Sequence, residues 1–192
     1  MPLFSKDKTT ARTAAALAAG VGVALIAGFA IAGPKRIWSW TAGPADQGSV
    51  DFATLKRRSA PNDSLACSPG VCREPVDFDL PTYGVSAEAL MGRLDRVVEA
   101  MGDVRRVDDG RDARYRRYVF RSRILKFPDT LDARAFGVGG GTTALALYSR
   151  SLLGRGDFGV NEKRLRAIAS ALAAPSAVEG SSDRQTGRAV SG

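Results

Sequence analysis

The sequence predicts an α+β domain, an antiparallel sheet packed with two helices, carried behind one N-terminal transmembrane helix. Three observations predict it. Residues 13–33 form an apolar run without a charged side chain. Two later stretches, one after Ser86 and one after Asn161, repeat apolar residues at helical spacing. Between them lie β-prone segments separated by Asp-Gly and Gly-rich turns. Such an order fits a helix-grip sheet curled around the last helix, or a flatter two-layer sandwich. Only the curled form readily makes a ligand cavity.

The N-terminal run, TAAALAAGVGVALIAGFAIAG, is about long enough to cross a ~30 Å hydrocarbon layer as a helix. Lys6, Lys8 and Arg12 precede it, and Lys35 and Arg36 follow it. Trp38 and Trp40 then suit the headgroup belt, where an amphipathic ring sits well. The small basic excess before the run favours an inside N-terminus and a translocated domain. A cleaved signal peptide is the rival reading, because Ala30-Ile31-Ala32 before Gly33 has small-x-small character. A buried soluble helix is the third. Either of the first two readings exports the domain.

At 192 residues the chain accommodates one good-sized domain. Its expected divisions are a basic segment 1–12, the helix 13–33, a linker 34–61, the domain 62–175 and a disordered tail 176–192. The linker is rich in small and turn-forming residues and reads as a tether, with a short element around Val50 to Leu55. Within it, Lys56-Arg57-Arg58 suits either solvent or anionic headgroups. Cys67 and Cys72 flank Ser-Pro-Gly-Val, a tight turn that brings two Cβ atoms within bonding range. A structural disulfide is expected; free thiols and redox or metal chemistry are the alternatives, without the Cys-x-x-Cys spacing that redox pairs use.

A strand is expected near Val76 to Leu80. The first domain helix has Ser86 as N-cap, Glu88 in its first turn, and Leu90, Leu94, Val97, Val98 and Met101 on one face before Gly102. Strands follow over Val104 to Val107, Tyr115 to Leu125, Thr130 to Val138 and Thr142 to Arg150. In the last of these Leu145 and Leu147 mark a core face. The final helix, capped by Asn161, carries Leu165, Ile168, Ala169 and Leu172 on one stripe.

The 28 Lys and Arg against 20 Asp and Glu leave a net +8, and there is no His. His-based triads, His general bases and His-containing zinc sites are therefore excluded. Ser149 and Ser151 lack a His base, no Walker or Rossmann loop is present, and neither a metal nor a cofactor is expected. An Ala-, Gly- and Arg-rich composition also arises from genome composition, so charge alone is weak grounds for a nucleic-acid partner. Export argues against one.

Two clusters carry what chemistry there is. Arg117, Arg121 and Arg123 share one parity of their strand and form a guanidinium ladder, with Arg116 opposite. Such a ladder repels itself unless carboxylates such as Asp129, Asp132 or Asp157, or a bound anion, compensate it. Tyr148-Ser149-Arg150-Ser151, then Gly154, Asp157, Gly159 and Asn161, join the last strand to the last helix. There Asp157 is placed to receive an Arg bond, and Arg150 beside a helix N-terminus could hold an anion. Salt bridges on a sheet face and a polar fastening of the connection are the non-binding readings of the two clusters.

Phe127-Pro128-Asp129, Tyr148-Ser149-Arg150-Ser151, Gly154, Asp157-Phe158-Gly159-Val160-Asn161 and Arg164 resemble the domain-of-unknown-function 1499 family. Asn62-Asp63 and Cys67-Ser68-Pro69-Gly70-Val71-Cys72 resemble the start of that domain, and the likeness covers roughly Asn62 to Ala173. It implies an exported or membrane-tethered protein, expected at the bacterial inner membrane, single-pass, with the domain in the periplasm or, after cleavage, secreted to the periplasm, and it brings no activity with it. Glu162 stands where members are often more basic, which weakens an anion site at the last helix.

The expected function is non-enzymatic binding of an anionic lipid surface or envelope protein, through Arg117, Arg121, Arg123, Asp129, Tyr148, Arg150, Asp157 and Asn161. Residues 13–33 contact membrane lipid. A lipid or apolar-ligand carrier with a cavity beneath the last helix is one alternative. A hydrolase-like enzyme using Asp129, Asp157 and Arg150 is another.

Overall fold

A computed structural model of the protein describes residues 8–174; Lys6 and the tail 176–192 lie outside them. Helix α1 (Lys8–Ala32) contains the apolar window Arg12–Ala32, 21 residues that are long and apolar enough to cross a membrane. None of that window is buried against the domain, so α1 is not a core helix. Gly33 breaks the chain at φ +76°, a backbone that favours glycine, and Pro34 then opens α2 (Pro34–Thr41), where its missing N–H costs nothing.

The domain is a six-stranded sheet with two helices on one face. Its strands are β1 (Asp63–Cys67), β2 (Phe78–Asp79), β3 (Val104–Arg106), β4 (Tyr115–Arg121), β5 (Pro128–Gly139) and β6 (Thr142–Ser151). Their spatial order is β2-β1-β6-β5-β4-β3. The sheet is mixed rather than wholly antiparallel, because β1 and β2 pair in parallel at one edge. It stays open, with β2 and β3 as its edges. Strand β1, hidden in a short run of small and polar residues, pairs along β6 and was not anticipated. The strand expected to reach Leu125 stops at Arg121, where residues 122–127 turn back with Lys126 at φ +56°.

Helices α3 (Ala87–Glu99) and α4 (Val160–Ala173) supply the apolar stripes that the sequence spacing predicts. Ser86 caps α3 by accepting the Ala89 N–H. Leu90, Met91, Leu94 and Val98 of α3 meet Leu165, Ile168 and Leu172 of α4 over Tyr118, Leu131, Leu145 and Leu147 of the sheet, all buried. The space beneath α4 is thus filled by side chains from both helices and three strands.

The opposite sheet face is covered by the segment expected to be a tether. Phe52 is buried there with Leu65, Tyr115, Ala146 and Tyr148, and Val50 and Leu55 pack around it. Arg57 fastens the same segment to Asp63 and Asp77, each at 2.9 Å, so it is not among the charges free for headgroups. Cys67 and Cys72 form the expected disulfide, Sγ–Sγ 1.97 Å.

Candidate functional site

Alternation along β6 splits the Tyr148–Ser151 motif between the two faces. Tyr148 and Arg150 point toward the covering segment, where Asp132 of β5 stands opposite Tyr148 and Arg117 of β4 stands opposite Asp132. Arg150 donates to Asp132 at 2.8 Å and, through its other terminal nitrogen, to the Gly48 carbonyl at 2.6 Å. Tyr115 donates a short hydrogen bond to the other oxygen of Asp132. Burial raises the Asp132 carboxyl to about 6, against the lowering pull of Arg150, Tyr115 and Arg117. Tyr148 donates to Asp63 at 2.7 Å and lies beneath the Arg150 guanidinium.

Ser149 and Ser151 point to the helix face and close on Asn161. Asn161 is not the helix cap. It sits one residue inside α4, buried, while Gly159 takes the cap position at φ +72° without a side-chain bond. Asp157 does the capping, accepting the Gly159 and Asn161 N–H groups at 2.9 and 2.8 Å rather than an arginine. The Asn161 carboxamide accepts from Ser149 and Arg164 and donates to Ser151 and to the Asn62 carbonyl. Arg164 continues to Asp129 at 2.6 Å and covers the Phe120 ring.

The guanidinium ladder does not persist as one. Arg117 pairs with Asp46 of the covering segment at 2.7 Å, and Arg116 reaches Asp95 of α3 at 3.1 Å. Arg121 ends β4, with its guanidinium on the Lys126 carbonyl, while Arg123 lies beyond the strand and is exposed. The carboxylates proposed to compensate the ladder serve elsewhere: Asp129 on Arg164, Asp132 on Arg150, Asp157 on the α4 N-terminus. Asp129 and Asp157 are joined through Arg164 and Asn161 on the helix face, and Arg150 is held apart from both on the covered face.

A different grouping appears at one end of the sheet. Arg121 stands opposite Pro128, and Asp129 opposite Ser151, so the loops 122–127 and 152–159 leave the sheet together. Helix α2 arrives at the same end: Trp38 stacks on Phe127 with centroids 4.7 Å apart and donates Nε1–H to the Leu125 carbonyl at 2.6 Å. Asp103, before β3, joins Lys35 at 3.9 Å and Lys126 at 3.0 Å. This rim exposes apolar side chains that the fold does not use, Ile124 at 83% and Phe158 at 97%, with Leu125 also exposed. Phe158 further holds φ +53°, a left-handed backbone that costs a bulky residue roughly 1–2 kcal/mol.

Trp38, Phe127, Leu153, Phe158 and Val160 wall a groove of about 410 Å³ at this rim, with Ser122, Asp129, Ser151 and Asp157 at its polar margin. A larger cavity of about 830 Å³ opens against the covering segment near Asp108, Asp112, Tyr115 and Arg134. Its acids are already engaged, Asp108 by Arg106 at 2.8 Å and Asp112 by Arg134 at 3.1 Å. Of the residues expected to bind, Arg121 and Arg123 lie at the rim, and Asp129 and Asp157 line the groove. Arg117, Tyr148 and Arg150 lie on the covered face, and Asn161 lies in the core. The apolar pair Ile124-Leu125 between Arg123 and Lys126 is the available signal, hidden because it extends the β-prone run of β4.

The family described as "Protein of unknown function (DUF1499)" matches residues 57–172. No curated protein matches the chain.

Proposed function

We propose, for a chain that belongs to the DUF1499 family of proteins of unknown function, a membrane-surface role in which the sheet rim rests on the headgroup layer beside its own anchor. The observation that carries this reading is the Trp38–Phe127 stack. It ties the helix that follows the apolar span to the loop that exposes Ile124 and Leu125. Burying such side chains in the interface contributes up to about 1.5–3 kcal/mol each. Arg121, Arg123, Lys126 and Lys35 lie at the same rim, the two lysines sharing Asp103, and each basic charge left near an anionic surface adds about 1 kcal/mol. Anionic lipid binding then belongs to the rim, while Arg117 and Arg150 serve the fold. The disulfide and the basic excess before the apolar run at 13–33 support a periplasmic domain on a retained inner-membrane anchor.

The test uses the full chain in vesicles containing phosphatidylglycerol. Nitroxide labels are attached to cysteines introduced at Ile124, Phe158 and Asp109, the last on the loop at the far end of β4. Labels at 124 and 158 should collide more with oxygen than with a water-soluble nickel chelate, and the label at 109 should do the reverse. Equal nickel access at all three positions would remove the proposal.

A further inference from the structure

The groove at the rim has walls and surroundings of one chemical kind. Trp38, Phe127, Leu153, Phe158 and Val160 supply its apolar surface, and its volume of about 410 Å³ falls within the range of small-ligand sites. Each polar side chain on its margin already has a partner within the protein. Asp129 accepts from Arg164, Ser151 from Asn161, Ser122 from the Phe127 N–H, and Asp157 from the Gly159 and Asn161 N–H groups. A hydrocarbon leaves each of those bonds intact and needs none of its own, which suits the apolar walls.

Trp38 links the groove to the membrane span. It stands on α2, which Gly33 alone separates from α1, so the groove wall continues the segment that enters lipid. Phe158, exposed and in a left-handed backbone, stands at the groove with its ring unburied by the fold.

Taking the rim-on-membrane reading as its premise, we infer that this groove accepts one acyl chain of a phospholipid drawn from the adjacent bilayer leaflet. The headgroup stays outside among the exposed basic side chains Arg123 and Arg155. The anchored domain thereby holds a bound lipid as well as resting on the surface. The larger cavity offers no such match, since its lining is rich in carboxylates and guanidiniums.

The experiment places the full chain in vesicles of phosphatidylcholine and phosphatidylglycerol that carry a diazirine in one acyl chain. After illumination the adducts are mapped by peptide mass spectrometry. Adducts are expected on α1 and also on residues 153–160 and Phe127. Leu153→Trp, which fills the groove, should reduce the adducts at 153–160 roughly tenfold while leaving those on α1 unchanged. Val160→Trp provides a second filling variant at an exposed position, so a folding failure of the first does not decide the matter.

Adducts confined to α1, or groove adducts that neither variant lowers, overturn the inference. So does a photoreactive residue at 153 that captures a second polypeptide rather than lipid. If the nitroxides at 124 and 158 report headgroup depth while the groove gains no adduct, the rim reading stands and the lipid site falls. If those nitroxides are water-exposed, both fall.

Discussion

Trp38 and Phe127, 89 residues apart in the chain, stack with ring centroids 4.7 Å apart, and the same indole donates to the Leu125 carbonyl. That pairing sets where the apolar N-terminal helix and the segment after it meet the domain. Aromatic pairs are worth about 0.5–1.5 kcal/mol beyond burial. A double-mutant cycle with Trp38→Ala and Phe127→Ala should return a coupling energy in that range, measured by unfolding in mild detergent. Additive single-mutant effects would mean that α2 is not fixed to the rim.

The arginines should divide by location. Arg121→Gln with Arg123→Gln should leave the fold intact and reduce the dependence of rim immersion on phosphatidylglycerol content. Arg117→Gln breaks the pair with Asp46 and should destabilise the domain by about 1–3 kcal/mol, with little effect on lipid dependence. Nickel and oxygen collision at a 124 nitroxide reads the first effect, and urea unfolding reads the second. An equal loss of lipid dependence in both sets would return the binding surface to the sheet face.

Asp132 makes stability pH-dependent in an unusual direction for a carboxylate. Burial lifts it to about 6 in the fold, above an unfolded value of about 4. Its stabilising contribution is therefore fully present below about pH 4 and lost as pH rises through 6, a change of about 3 kcal/mol. Asp132→Asn removes that dependence. The stability of the natural chain relative to the variant should fall between pH 4 and pH 7, measured by denaturant unfolding. Parallel curves would show that Arg150 and Tyr115 hold the carboxylate ionised throughout.

Leu145 is fully buried beneath the helices. Leu145→Ala should cost about 2–5 kcal/mol, through lost burial and the cavity left behind. A measured loss below about 1 kcal/mol would mean that neighbouring side chains collapse into the space.

Local patterns carried much of the architecture. The period of Leu90, Leu94 and Val98 and that of Leu165, Ile168 and Leu172 specified two helices, because a helix buries one face whatever it packs against. The apolar run before Gly33 and the Cys67–Cys72 spacing were equally readable, since each depends on residues close in the chain. Strand β1 was not, because Asp63–Cys67 has little periodicity and is a strand chiefly through its pairing with β6.

Sequence by itself thus determined the family signature, the apolar N-terminal helix, the helix faces and the opposite parity of Arg116 and Arg117, while Arg123 falls beyond the strand. Tertiary structure alone decided which of those charges remain available. Asp46, Asp95 and Asp63 reach Arg117, Arg116 and Arg57 only once the segment before β1 folds onto the sheet and α3 packs beneath it. An ion pair depends on distance in space, and the four-residue reach of a local pattern holds no information about a partner 71 residues away. The same reason places the groove outside the sequence's reach: its walls come from α2, two loops and the first residue of α4, which meet where β4, β5 and β6 end in register.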